Sequence, residues 1–299
     1  MEDNRFSRRV KHLVIGGYTV ACSRGDLALR AEIPFAGMAF YQPEPAGAEP
    51  DLVFRMENTE PDSSGRLLFG SDDFMFPTFL YQRDSGCFDW ITRQQDRSPG
   101  LAFRISPDWR VFTLYADGTA SNGARAFREF GSLFSYAVLP RGGCVLHGVA
   151  MEYRGKGILV TAAAGTGKTT HTRMWRDRKN ALILNGDRAL CRKVDGRWYT
   201  FGMPWAGSSG EYINRRAPLA CIVCLKRGAE NTVRPLSVFD GTIGLMQRIF
   251  APVWPGELQN AGFACCDALA REVPILELSC RPEPQAVEVL AHALEAYGV

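Results

Sequence analysis

The chain has no run of about eighteen consecutive apolar residues, the least that reads as a membrane-spanning helix, so no membrane partner is expected. It has no strong charge of either sign: 35 Lys and Arg stand against 32 Asp and Glu, a net charge of +3. The basic residues are dispersed and form no long run, so no nucleic-acid partner is expected. Met1 to Val10 is polar and lacks the apolar core of a signal peptide, which makes the cytoplasm the expected location. No internal repeat or low-complexity tract is present.

A cysteine framework is missing too. The nine cysteines are odd in number and scattered through apolar segments, which suits buried thiols in a reducing compartment. The one C-x-x-C pair, Cys221 and Cys224, lies in the strand-like run Leu219 to Leu225, where residues three apart face opposite sides. No second pair has metal-ligand spacing, and the adjacent Cys265 and Cys266 read as helix core.

What is present is ample for a folded core. The 299 residues are 46% hydrophobic, enough for one large or two medium domains. Residues 1–123 read as a β-rich accessory or substrate domain. Short apolar or alternating runs recur at His12–Ala21, Met38–Tyr41, Leu52–Met56, Arg66–Phe69, Phe74–Tyr81, Leu101–Ile105 and Val111–Tyr115. Turn-rich pieces such as Glu44–Gly47 and Asp62–Gly65 separate them. Residues 124–299 read as a mixed α/β domain. Its first helix, Ala124–Ala137, puts Phe127, Phe130, Leu133 and Phe134 on one face. A strand pair follows at Cys144–Tyr153 and Gly157–Thr161, then a helix from Thr169 to Arg178. Further on come a run at Ala181–Leu184, a hairpin turning at Asp195-Gly196, and a strand at Leu219–Leu225. Helices are expected at Thr242–Phe250, Glu257–Arg271 and Pro284–Tyr297.

The most informative segment is Ala162-Ala163-Ala164-Gly165-Thr166-Gly167-Lys168-Thr169-Thr170. It matches the phosphate-binding pattern G-x-x-x-x-G-K-[ST] at all but the first position, where Ala162 stands. Gly165 and Gly167 let the backbone curl so that successive N–H groups converge on phosphate oxygens. Lys168 suits the β- and γ-phosphates, Thr169 suits Mg²⁺, and the following helix aims its positive end at the same oxygens. Ala164, Gly165, Thr166, Gly167, Lys168, Thr169 and Thr170 are therefore the candidate nucleotide-binding set. Asp187 lies nineteen residues beyond Lys168, after one helix and one strand. It is placed to hold Mg²⁺ or to take a proton from an attacking hydroxyl, or else is the turn residue of Asn185-Gly186-Asp187. The Gly- and Ser-rich segment Pro204–Asn214 suits a mobile lid, with Glu211 a candidate substrate contact. His171 reads as helix packing, and Lys226 and Arg227 as surface.

Three features together resemble the HPr serine kinase and phosphoenolpyruvate carboxykinase superfamily. They are His147-Gly148-Val149, the strand running into Gly165-Thr166-Gly167-Lys168-Thr169, and the strand end Asp187-Arg188. Thr169 to Trp175, with Gly202 to Gly207, is similar to an HPr-kinase-like branch related to peptide-tailoring serine kinases. The resemblance spans about Cys144 to Leu225 and departs from the family at Ala162 and at Gly186, where a second acid is expected. It implies a carboxykinase-like α/β kinase domain that uses ATP and Mg²⁺. Lys168 would contact the β/γ-phosphates, Thr169 and Asp187 would hold the metal, and His147 would lie near the transferred group. Arg215 or Arg216 would neutralise its charge, and Asn185 is a candidate for holding metal-bound water. The expected activity is phosphoryl transfer to a hydroxyl of a peptide, protein or small molecule. The alternatives are a catalytically impaired nucleotide-binding module and a small carboxykinase-like enzyme. Oligomeric state, homo-oligomers included, and the choice of ATP over GTP stay open.

Overall fold

The structure, a computed structural model, describes residues 10–23, 40–42, 49–57, 65–72, 77–94, 99–115, 120–252 and 254–299. The runs expected at Met38–Tyr41 and Phe74–Tyr81 lie partly outside the described residues, and so do the turns at Glu44–Gly47 and, but for Gly65, Asp62–Gly65. The architecture is mixed α/β with two large mixed sheets. The chain divides into two compact units, 1–137 with 253–256, and 138–252 with 257–299.

Among the described residues the first unit holds nine strands: β1 (Val10–Ile15), β2 (Tyr18–Ser23), β3 (Tyr41–Gln42), β4 (Leu52–Glu57), β5 (Arg66–Ser71), β6 (Thr78–Gln82), β7 (Phe88–Arg93), β8 (Pro99–Ile105) and β9 (Val111–Tyr115). They form one sheet in the order β3-β1-β2-β4-β9-β8-β7-β6-β5. Period-two patterning shows plainly in β8, where Leu101, Phe103 and Ile105 are buried and Ala102 and Arg104 are half-buried. Helix α1 (Ala120–Ala137) covers the buried face. Its Phe130 ring lies 4.5 Å from Phe54 and 5.9 Å from Phe112, and Phe134 meets Tyr18 edge-on at 6.1 Å. These contacts place α1 in the first unit, so the boundary drawn from sequence at 123/124 falls inside a helix.

The second unit contains β10 (Gly143–Tyr153), β11 (Lys156–Thr161), α2 (Lys168–Lys179), β12 (Leu182–Asn185), β13 (Arg188–Val194), β14 (Arg197–Phe201), β15 (Arg216–Arg227) and β16 (Thr232–Pro235). Then follow α3 (Val238–Met246), α4 (Gly256–Glu272), β17 (Ile275–Cys280) and α5 (Pro284–Glu295). The strand order is β11-β10-β13-β14-β15-β17-β16, with β12 on β10 and β11 also paired with β15. Two long strands each serve three neighbours, β10 pairing with β13, β11 and β12, and β15 with β14, β11 and β17. Residues 143–147 of β10 pair with β13, and residues 148–153 pair with β11. Residues 216–218 of β15 pair with β14, and residues 219–224 run parallel to β11. The change of partner on β10 falls between His147 and Gly148. A Cβ on Gly148 would lie 2.9 Å from the Val160 carbonyl oxygen, so only glycine lets the strands cross this closely.

Strand β11 is buried along five of its six residues, as a strand covered on both faces must be. Its core partners include Trp175 of α2, with no exposed surface, and Leu290 and Leu294 of α5. At the 195–196 hairpin turn, Asp195 and Gly196 both have positive φ, as a two-residue turn of this hand requires. The helix expected at Thr242–Phe250 instead occupies Val238–Met246. Ser237 accepts from the Asp240 amide at 3.1 Å and so caps the helix four residues earlier than apolar periodicity alone indicates. Residues 247–250 are thereby released to lie along β10, where the His147 amide donates to the Arg248 carbonyl and the Phe250 amide to that of Val145.

Candidate functional site

The loop between β11 and α2 takes the conformation its glycines permit. Gly165 has φ of 72° and Gly167 of 112°, both in the region that side chains disfavour. The first ladder bond of α2 runs from the His171 amide to the Gly167 carbonyl, so the amides of Lys168, Thr169 and Thr170 precede the ladder. Thr169 and Thr170 are exposed, as are Ala164 and Gly165, while Thr166 is half-buried. Ala162, where the pattern has glycine, has no positive φ and is 5% exposed among Val160 and Trp175. Its methyl fills core space, and the turn does not need a glycine there.

Three side chains meet at the loop's end. The Lys168 ammonium lies 3.1 Å from His147 Nε2 and 3.1 Å from the Ala162 carbonyl oxygen. His147 Nδ1 lies 3.3 Å from Asp187 Oδ1. An ammonium only donates, so Nε2 accepts and the ring proton sits on Nδ1, facing the carboxylate. Register brings these groups together: His147 pairs with Arg188 across β10 and β13, and Gly148 pairs with Thr161 across β10 and β11. The Thr161 hydroxyl donates to the His147 carbonyl at 2.7 Å, and the Gly148 amide to that of Asp187 at 2.9 Å.

The charges on these groups are tuned by their surroundings. The His147 hydrogen bond holds the Asp187 carboxyl below its ordinary pKa, helped by Arg188 and Lys168, although burial opposes it. Burial lowers the pKa of Lys168, Arg248 lowers it further, and Asp187 opposes the change. Arg188 lies 3.9 Å from Asp187 Oδ2 and stacks 4.8 Å over the Phe250 ring.

The turn before Asp187 is held by Asn185. Its Oδ1 accepts from the amides of Asp187 and Arg188, and its Nδ2 donates to the carbonyls of Met203 and Trp205. Both ends of this buried side chain are thus occupied in the turn, so the role of holding metal-bound water does not fit it. The expected lid is tied down at several points. The Gly186 amide donates to Glu211, the Ile213 amide to Leu184, and Trp205 is buried. A Cβ on Gly207 would lie 2.5 Å from Asp187 Oδ2, so the loop rests on the carboxylate through a glycine. A Cβ on Gly186 would collide with Ser209 Oγ and lie 2.7 Å from its Cβ. Ser209 therefore fills the space that a second acid would need.

Arg215 and Arg216 do not join the group. Arg215 grips Glu152 with both arms, at 2.5 and 2.6 Å. Glu152 pairs with Gly157, four residues or roughly 13 Å of strand before Thr161 and the loop. Arg216 stacks 4.8 Å over Tyr199. Glu211, expected to touch substrate, bonds to Arg176 at 2.8 Å and so clamps the loop to α2. The arginines nearest the loop are different ones. Arg227 donates to the Gly165 carbonyl, and Arg248 affects Lys168 through its charge. Sequence spacing gave no signal for Arg248, which arrives because 248–250 leaves α3 to pair with β10. The doubled β15 pairing brings in Arg227.

A cleft of about 930 Å³ opens beside the loop. One wall is Thr161–Thr166, and the rest of the lining comes from the end of β15 from Cys224 to Arg227, Arg234 of β16, Glu277 of β17, one side of α3, and Gln247 and Arg248 just beyond it. Cys224 faces this cleft while Cys221 lies in the core, on the opposite side of the strand. His171 is buried and accepts a hydrogen bond from the Trp175 indole at 3.1 Å. None of the described helices is long and apolar enough to cross a membrane.

No family model and no curated protein sequence matches the chain. Among solved structures, the HPr(Ser) kinase/phosphatase from Coxiella burnetii is weakly similar, at 13% sequence identity and a TM-score of 0.31, over 52% of this chain and 93% of that one.

Proposed function

We propose that the protein is an ATP- and Mg²⁺-dependent kinase of the HPr-kinase and carboxykinase type, transferring the γ-phosphoryl group to a hydroxyl of a peptide, protein or small molecule. The observation that carries this reading is the convergence of Lys168, His147 and Asp187 at the end of a glycine-shaped loop, with separations of 3.1 and 3.3 Å. Phosphoryl transfer asks chiefly for positioning and charge neutralisation, and both are supported here. The loop amides and Lys168 receive the phosphates. The acceptor oxygen attacks the γ-phosphorus, its bond to the bridging oxygen breaks, and ADP departs. With Lys168 turned from His147 onto the phosphates, the hydroxyl proton passes to the freed Nε2, and Asp187 Oδ1 steadies the imidazolium through Nδ1–H. Arg248 adds positive charge at the reacting end. Asp187 Oδ2 and the exposed Thr169 hydroxyl are hard oxygen donors of the kind Mg²⁺ takes together with phosphate oxygens. When bound, Mg²⁺ would offset the phosphate charge. The β-rich unit is free to select the acceptor.

Incubation with γ-labelled ATP and serine peptides or hydroxyl compounds tests the proposal. Label should reach an acceptor and be lost in Lys168→Ala. Transfer that survives this substitution would remove the site. A second reading, nucleotide binding without turnover, is favoured by the packing of Ser209 against Gly186, which leaves no room for a second acid. ATP-dependent thermal stabilisation of about 2.7 kcal/mol at 100 times Kd, with no label transfer, would select it.

A further inference from the structure

We infer that Phe250 is a positioning residue, whose ring holds the Arg188 guanidinium off Asp187 Oδ2 and so keeps that oxygen open to the metal. The inference rests on the nucleotide and Mg²⁺ reading of the site and adds what keeps the carboxylate available. The two oxygens of Asp187 have separate neighbours. Oδ1 faces His147 Nδ1 at 3.3 Å. Oδ2 has Arg188 Nε at 3.9 Å, beyond hydrogen-bond length. A guanidinium beside a carboxylate ordinarily closes to about 2.7–2.9 Å, often through two parallel bonds. Closure here would put N–H groups on the lone pairs that a metal needs.

The ring supplies the competing attraction. The Arg188 guanidinium carbon lies 4.8 Å from the Phe250 ring centroid, within range of a cation–π contact. The ring is fixed from its backbone, because the Phe250 amide donates to the Val145 carbonyl at 2.8 Å and Ile249 bridges to Leu146. The same ring meets the His147 imidazole edge-on, with centroids 6.2 Å apart. One side chain thus braces the neighbours of both carboxylate oxygens. A second element spares the same atom: a Cβ on Gly207 would lie 2.5 Å from Oδ2, and glycine leaves that space clear. A closed Arg188–Asp187 pair would be the stronger charge contact, so the arrangement gives up attraction to leave Oδ2 uncovered.

The test is calorimetric titration of the full chain with ATP, once with Mg²⁺ and once with EDTA in its place. The readout is the factor by which Mg²⁺ tightens ATP. Phe250→Leu should lower that factor by about fivefold, the scale of one ion pair closed at the metal's expense, and leave metal-free ATP binding within about twofold. In an Arg188→Met background the same change should move the factor by less than about twofold, because no guanidinium is left to close. Phe250→Tyr, which keeps the ring, should match the wild type. An unchanged factor in a folded Phe250→Leu protein would overturn the inference and leave the reading of the site standing. So would an equal drop in Phe250→Tyr or in the Arg188→Met background. If Phe250→Leu does not fold, Phe250→Met, a flexible gap-filling side chain, takes its place under the same criteria. A wild type that binds ATP no better with Mg²⁺ would overturn the metal role of Asp187, and one that binds no ATP would overturn the nucleotide reading; the inference falls with either.

Discussion

Acidification should weaken this fold through His171, on the first turn of the helix that follows the glycine loop. The side chain is 2% exposed, and burial pushes its pKa from 6.5 to about 4. The fold therefore refuses a proton that the unfolded chain accepts. Stability is unaffected above pH 6.5, falls as pH drops below it, and reaches its full loss near pH 4. At about 1.4 kcal/mol per pH unit, the total is about 3 kcal/mol. For a domain the size of the second unit, that lowers Tm by on the order of 10 °C. His171→Gln keeps an acceptor for the Trp175 indole but cannot titrate. Melting curves of both proteins from pH 7 to pH 4 give the assay. The wild type should lose stability more steeply between pH 6.5 and 4, whatever constant offset the substitution introduces. Parallel curves would refute the reasoning, because they would mean that His171 takes its proton equally well folded and unfolded.

Gly186→Asp, which restores the second acid of the resemblance, should cost about 1–3 kcal/mol by overpacking against Ser209. Adding Ser209→Gly should recover part of that loss, and a urea-unfolding double-mutant cycle with no coupling would refute the contact. Arg248→Ala should lower kcat by about a hundredfold, as loss of one charge-stabilising group does, and Arg215→Ala should leave it within about twofold. Steady-state kinetics with the best acceptor checks the pair, and the reverse ranking would return the role to Arg215.

Legibility differed from one feature to the next. The buried run of β11 and the glycines at 165 and 167 were readable because each reports a local constraint, burial on both faces in one case and positive φ in the other. The same holds for the alternation in β8 and for the Asp195-Gly196 turn. The start of α3 was misread because the Ser237 cap outweighed apolar periodicity, and that shift of four residues is what brings Arg248 beside β10. The lid expectation failed because glycines mark flexibility and close approach equally well. At Gly207 the constraint is the nearness of Asp187.

The sequence by itself determined a strand, a glycine-shaped loop and a helix in that order, and a β-rich first half. Those properties depend on neighbours within a few residues, through backbone angles and the two- and 3.6-residue periods. Only the tertiary structure decided which arginine stands near Lys168, why Gly186 excludes an acid, and where α1 belongs. Those answers depend on register between strands tens of residues apart, and a long strand such as β10 changes partner at a single glycine. No local pattern encodes where such a ring of strands closes.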